Sequence, residues 1–245
     1  MTATTSTAAS KLKTYGPLQF PSRADLTLWQ FDRALRLGLI PGPDAAGGRW
    51  SADVLDDTLT RIDTIRQAVG TMPDVGAVRA EEHLAERFHM TVYSGTAAEL
   101  ARRGYLPVVG DHKGHTLYCG LTLERFTDRR KVARASTAGQ LHTRDAAARI
   151  LELRASDFDH LVRAGLLIHA ATARSGWNRR DVVLLYRQAD LNRVARSRRV
   201  DWDAVRAAPK GHRSPLAALP TRRAAARRQP GRAPAGMPVR PAGEA

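Results

Sequence analysis

Three times along this chain an apolar residue is followed, seven positions later, by glycine and two more apolar residues. The three runs are Phe31 to Gly38-Leu39-Ile40, Ala97 to Gly104-Tyr105-Leu106, and Phe158 to Gly165-Leu166-Leu167. Each interval holds a further apolar residue three places after the first, Ala34, Leu100 or Leu161. Positions i, i+3 and i+7 share one face of an α-helix, so each interval predicts a short amphipathic helix with one buried stripe. The glycine predicts its end: lacking a Cβ, it enters the left-handed region that closes a helix, and the apolar pair leaves as a strand. A chain of 245 residues with this pattern in triplicate is constrained to repeat one small unit.

The likeness continues past the glycine. Trp50 stands twelve residues after Gly38 and Trp177 twelve after Gly165, while Leu117 and Tyr118 stand thirteen and fourteen after Gly104. The intervening segments 41–48, 110–114 and 172–176 are turn-rich with apolar flanks, a hairpin pattern. A helical stretch is expected after each hairpin: 52–69, with Val54, Leu55, Thr58, Leu59, Ile62 and Ile65 on one side; 122–134; and 181–196, with Val182, Val183, Tyr186 and Ala189. Copies two and three carry an earlier helix over 79–88 and 144–153, but copy one does not, because Pro17 and Pro21 interrupt that region. Thr96-x2-Glu99 and Ser156-x2-Asp159 resemble capping boxes at the start of the second helix. The expected fold is mainly α with small β-hairpin wings. It comprises a flexible N-terminus (1–22), copy one (23–70), copy two (76–135), copy three (140–200) and a tail (207–245).

Composition bears on the partner. The net charge of +15 favours an anionic one, and nucleic acid is the commonest for a basic protein. That charge is uneven: residues 1–195 hold 27 Lys and Arg against 21 acids, and residues 196–245 hold 12 against 3. Arginine outnumbers lysine 34 to 5, which suits bidentate contacts to phosphate and guanine but also follows from a GC-rich genome. Cys119 is the only cysteine, so no intramolecular disulfide forms and a reducing compartment is expected. Residues 1–10 lack an apolar core, and the apolar stretch 164–173 is short and contains His169. The expectation is a cytoplasmic, nucleoid-associated protein with no membrane partner.

Copy three, from Thr143-Arg-Asp-Ala-Ala-Ala-Arg-Ile-Leu through Asp157-Phe-Asp-His-Leu-Val-Arg-Ala-Gly-Leu-Leu to Trp177 and Val183, resembles the MerR and excisionase-like winged helix-turn-helix family. Copy two is similar but looser, and copy one is similar only from its second helix onward. Together they cover about two-thirds of the chain, through motifs built of common residues. The resemblance implies tandem winged helix-turn-helix units, each with its second helix in the major groove and its wing on the backbone. It departs from a MerR regulator in lacking a long C-terminal dimerisation helix and an effector domain, and from an excisionase in carrying several copies. By position it implies DNA contacts from Arg154, Ser156, His160 and Arg163 on the second helix of copy three, with Arg174, Asn178 and Arg179 on its wing. In copy two the matching positions are Thr91, Tyr93, Ser94, Arg102 and Arg103, with His112, Lys113 and His115 at the wing tip. In copy one they are Thr27, Gln30, Arg33 and Arg36, with Arg49 before the wing tryptophan.

The same arginines also fit a solvated helix face. Asp25, Asp157 and Asp159, near helix starts, complement the helix dipole and would repel phosphate, so not every copy is expected to bind DNA. Trp50, Trp177, Phe31, Phe158 and the three glycines are assigned to architecture. His112, His115 and Cys119, with His89, form an irregularly spaced set without a C-x2-C pair, so neither metal nor another cofactor is expected. No phosphate loop, nucleophile elbow or H-E-x-x-H motif asks for an enzyme. The tail, rich in Pro, Ala, Arg and Gly, is expected to be disordered, either a non-specific tether or a solubilising segment. The function expected is a bacterial DNA-binding protein, a transcriptional regulator or an accessory factor for recombination or plasmid maintenance, acting on double-stranded DNA. The alternative is a protein-interaction scaffold with a basic tail, engaging a protein partner or a second copy. RNA binding would call for more exposed aromatics than the sequence offers.

Overall fold

The computed structural model describes residues 13–174, 182–209 and 211–221. The chain divides into two compact units, Met1–Ala135 and Ser136–Ala245. Three successive segments repeat a helix pair, a returning strand and further helices; the first two lie in the first unit up to within the last helix of segment two, and the third lies in the second unit. Segment one runs β1 (Thr14–Tyr15), α1 (Gln19–Arg23), α2 (Leu28–Arg36), β2 (Trp50–Ser51), α3 (Ala52–Thr60) and α4 (Ile62–Val69). Segment two runs α5 (Ala77–Phe88), α6 (Thr96–Arg102), β3 (Val108–His112), β4 (His115–Tyr118), α7 (Gly120–Glu124) and α8 (Arg129–Gly139). Segment three runs β5 (Leu141–Thr143), α9 (Arg144–Ile150), α10 (Ala155–Arg163), β6 (Ala171–Arg174), β7 (Val182–Arg187), α11 (Gln188–Ala195), α12 (Trp202–Ala207) and a 3-10 turn, Pro215–Ala218. Among the described residues no helix is long and apolar enough to cross a membrane.

The glycines close their helices as the repeat predicts. Gly38, Gly104 and Gly165 have φ of 68, 75 and 73°. In each case the next residue's N–H reaches back five residues (Leu39 to Ala34, Tyr105 to Leu100, Leu166 to Leu161). The glycine N–H reaches back three, to Leu35, Ala101 and Val162. This pair of bonds is the Schellman closure. It turns Ile40, Leu106 and Leu167 into the core, each 1% exposed. The preceding helix closes the same way without glycine, at Asp25, His89 and Glu152, with φ of 51, 48 and 56°. There Leu26, Met90 and Leu153 bond back to Pro21, Ala85 and Ala148.

A strand returns from the wing in each segment and pairs antiparallel with the residues ahead of the first helix: Tyr15 with Trp50, and His142 with Tyr186. In segment two a single bridge, Val75 to Tyr118, holds the same place. The returning residue is therefore Trp50, Tyr118 or Tyr186, all buried. Trp50 stands edge-on to Phe31 at 5.1 Å and Tyr186 to Phe158 at 4.9 Å, pairs that add about 1 kcal/mol each to the area they bury. Segment two has Ala97 instead, and Phe88 against Phe126 fills its core. The counterpart of Trp50 is thus Tyr186. Trp177 lies outside the described residues, and equal spacing from the glycine misled because the wings differ in length.

Several expected elements are revised. Copy one does have a first helix, α1: Pro21 lies in its first turn, where a backbone N–H has no helical partner to lose. Phe20 from that helix is fully buried, so the flexible N-terminus does not extend to residue 22. The 41–48 segment forms one bridge, Ala45 to Arg49, rather than a hairpin. The hairpin of segment two is present, turning through Lys113 and Gly114, both at positive φ, as a type I′ connection requires. The helix expected over 52–69 breaks at Arg61, and that over 122–134 is divided into α7 and α8. Val182, Val183 and Tyr186 belong to a strand, as suits the β-branched, aromatic run 182–187. Neither expected capping box forms: Gly95 and Arg154 are the N-caps, without a side-chain cap of their own. A box forms instead at Thr27 and Gln30.

The tail is ordered further than composition suggests. Ser214 caps the 3-10 turn, Pro215 suits its first position, and Leu216 enters the third core beside Leu219. The stretch 222–245 lies outside the described residues. The left-handed closure predicts that Gly38→Ala lowers stability by about 1–2 kcal/mol although a Cβ there meets nothing within 4 Å. Gly42→Ala, with equal space and an ordinary φ, is the control and lowers it by no more than a few tenths. Urea unfolding of the two variants checks this.

Candidate nucleic-acid interface

An arginine reads DNA only through donors that the fold leaves free, and among the described residues most guanidiniums are engaged internally. In segment one Arg33 is 3% exposed. It donates to the carbonyls of Val69 (2.6 Å) and Met72 (2.9 Å) and pairs with Asp74 at 2.6 Å. Asp74 also accepts from Arg36 at 2.9 Å and from the Gly120 N–H at 3.0 Å, so it ties α2 to the start of α7. Burial alone would raise the Asp74 carboxyl, but Arg36, Gly120 and Arg33 outweigh that and lower it. Gln30 is committed as well. Its oxygen accepts from the Thr27 N–H, and its amide donates to Gly70 O. Arg49 donates to Thr14 and Gln19, fastening the 41–49 loop to the N-terminal strand. Of the positions expected to contact DNA here, Gln30, Arg33 and Arg49 are therefore structural; Thr27 is exposed but its hydroxyl caps α2, and Arg36 is exposed, though paired.

Segment two engages its arginines on a buried carboxylate. Arg102 grips Glu99 with two bonds, 2.8 and 2.7 Å, and Arg103 adds a third at 2.7 Å. Burial would push Glu99 up, but the two guanidiniums outweigh it and hold its carboxyl at about 2 instead of 4.5. Glu81, raised by its burial, accepts the N–H groups of Gly95 and Ala97 and so caps α6 from the side. Tyr93 and Ser94 are exposed in the turn before α6, not on it. At the wing tip His112 and His115 face each other in register around exposed Lys113. Among the described residues no group of three or more His, Cys, Asp or Glu is placed to hold a metal ion.

Segment three differs. Arg154 is taken up: it pairs with buried Asp157 at 2.8 Å and reaches the Pro209 and His212 carbonyls. Asp157 is raised by burial but lowered further by Arg154 and Ser214. Arg144 holds Asp159 through two bonds, 2.8 and 2.6 Å, and lowers it. Both acids that would repel phosphate are thereby neutralised. Asp25 of segment one meets Arg66 at 2.7 Å. What remains on the outer face of α10 is Ser156, His160 and Arg163, at i, i+4 and i+7, opposite the buried stripe of Phe158 and Leu161. Arg174, at the end of β6, is exposed and forms no ion pair among the described residues. Asn178 and Arg179 lie outside the described residues.

Two groups went unassigned in the sequence. Arg129, Arg130 and Arg134 on α8, and Arg196, Arg198 and Arg199 beyond α11, are exposed without an ion pair among the described residues. Their signal was the absence of any acid between Arg129 and Arg144 and between Asp190 and Asp201. Two surface depressions of about 370 and 340 Å³ are lined by first-unit residues, among them Arg125 and Lys131 in one and His83 and Glu86 in the other. Neither contains a residue of the expected interface. No known protein family, curated protein or solved structure matches the chain.

Two outcomes follow. Asp74→Ala strands the buried Arg33 charge and costs about 3 kcal/mol in unfolding experiments. Glu99, depressed in the fold, contributes stability that is complete above pH 4.5 and lost as pH falls toward 2. Glu99→Gln therefore lowers stability at neutral pH and flattens the acid limb of the stability profile, measured by denaturant unfolding across that window.

Proposed function

We propose that the chain is a bacterial DNA-binding protein, a regulator or an accessory factor for recombination or plasmid maintenance. In this reading its three segments are winged helix-turn-helix units of the MerR and excisionase type, and segment three reads duplex DNA. One observation carries the proposal: α10 keeps an outward polar and basic face, Ser156, His160 and Arg163, that is paired to no carboxylate among the described residues, while its acids are neutralised. Strands β6 and β7 of the sheet β5–β7–β6 follow α10 in the chain, and β6 ends on exposed Arg174, as a wing on the phosphate backbone would. The exposed arginines of α8 and of the loop after α11, which form no ion pair among the described residues, supply sequence-independent attraction that weakens with salt. Segments one and two, whose second-helix arginines are held by Asp74 and Glu99, serve as scaffold rather than as reading heads.

A protein-docking role has an observation in its favour in segment one, where α2 and its cap expose Leu28 (54%) and Leu37 (50%) beside a single exposed arginine, Arg36. The readings part in a binding experiment. Arg163→Ala with Arg174→Ala lowers affinity for a selected duplex at least about 30-fold, from two contacts of about 1 kcal/mol or more each. Arg36→Ala changes it less than about twofold. Undiminished binding by the double variant removes segment three as the reading head.

A further inference from the structure

We infer that His160 and Arg163 act as one donor set that selects guanine in the major groove, an inference that rests on segment three reading DNA. Arg163 donates through Nε to the Asp159 carbonyl at 3.3 Å, and its Nη2 lies 3.0 Å from His160 Nδ1. A guanidinium carries five N–H donors and no acceptor, so His160 Nδ1 must be the acceptor of that bond. The neutral imidazole then carries its proton on Nε2, and its remaining polar group is a donor. Arg163 keeps both protons of Nη1 and one of Nη2, the end-on fork whose spacing matches two adjacent acceptors.

The exposed face is thus donor-only at its two longest side chains. Ser156 beside them can donate or accept. The neighbouring acceptor, Asp159, is consumed by two bonds from Arg144 and is not offered to a base. Guanine alone presents two acceptors, N7 and O6, in the major groove. Adenine and cytosine present an amino donor that this face would leave unpaired, and thymine presents a single acceptor beside a methyl group. His160 is the positioning residue, because it fixes the fork of Arg163 while adding a donor next to it.

The test is selection of bound sequences from random duplex DNA with the full chain and three variants. The wild-type chain enriches a motif with at least one required G·C pair. Arg163→Ala lowers discrimination at that pair about tenfold or more. His160→Ala relaxes it in part and also the adjacent pair. His160→Gln, whose carbonyl can still accept from Arg163, restores the preference at the first. These side chains are outside the core, and matching thermal unfolding of the variants confirms the fold. A motif enriched without a required G·C pair, or one unchanged by Arg163→Ala, overturns the inference and leaves DNA reading in place. Failure of the wild-type chain to enrich any motif overturns both.

Discussion

Each segment has to carry its chain through the left-handed region immediately after its second helix, because only that turn brings the aliphatic residue two positions beyond the glycine back under the helix. Ile40, Leu106 and Leu167 make that return and are sealed in their cores. The returning strand then finds its place beside the residues ahead of the first helix and delivers Trp50, Tyr118 or Tyr186 onto the same apolar stripe. The remaining parts are free to vary because this closure does not depend on them. Wings range from one bridge in segment one to a hairpin in segment two and a three-stranded sheet in segment three.

On this common frame the segments differ in what they do with charge. A chain with 39 basic side chains suggests arginines broadly available to an anion. Three acids that are each substantially sheltered, Asp74, Glu99 and Asp157, instead draw arginines of the second helices into the fold. An arginine so held is an internal strut: it satisfies buried carbonyls or carboxylates, and its removal strands a charge. Segment three escapes in part, since its ion pairs lie at the N-terminal end and flank of α10 and leave the outward stripe without a carboxylate partner among the described residues.

The helix stripes and glycine closures were legible because both follow from local spacing and from the steric freedom of one residue. The partnerships that decide which polar residues are available were not. Arg33 and Asp74 are 41 residues apart, and nothing in the run from Leu28 to Arg36 shows that Arg33 is buried while Arg36 is not. Thr27-x2-Gln30 was a capping box in plain view, yet the expected DNA role concealed it. The 182–187 run looked helical because two valines and a tyrosine also fit a 3.6-residue stripe, whereas β-branching and the partner strands β5 and β6 decide for a strand. Composition alone could not anticipate that Leu216 would anchor the first part of the tail.

The division of labour among the segments is tested most directly by hydroxyl-radical footprinting of the full chain with and without a bound duplex. Accessible reporters exist in all three: exposed Leu28 and Leu37 in segment one, exposed Tyr93 and Tyr105 in segment two, and half-buried His160 with exposed Val182 and Leu184 in segment three. The predicted result is protection of His160 and of the Val182–Leu184 strand, with the reporters of segments one and two unchanged. Protection of Leu28 and Leu37 with His160 still fully reactive would contradict it.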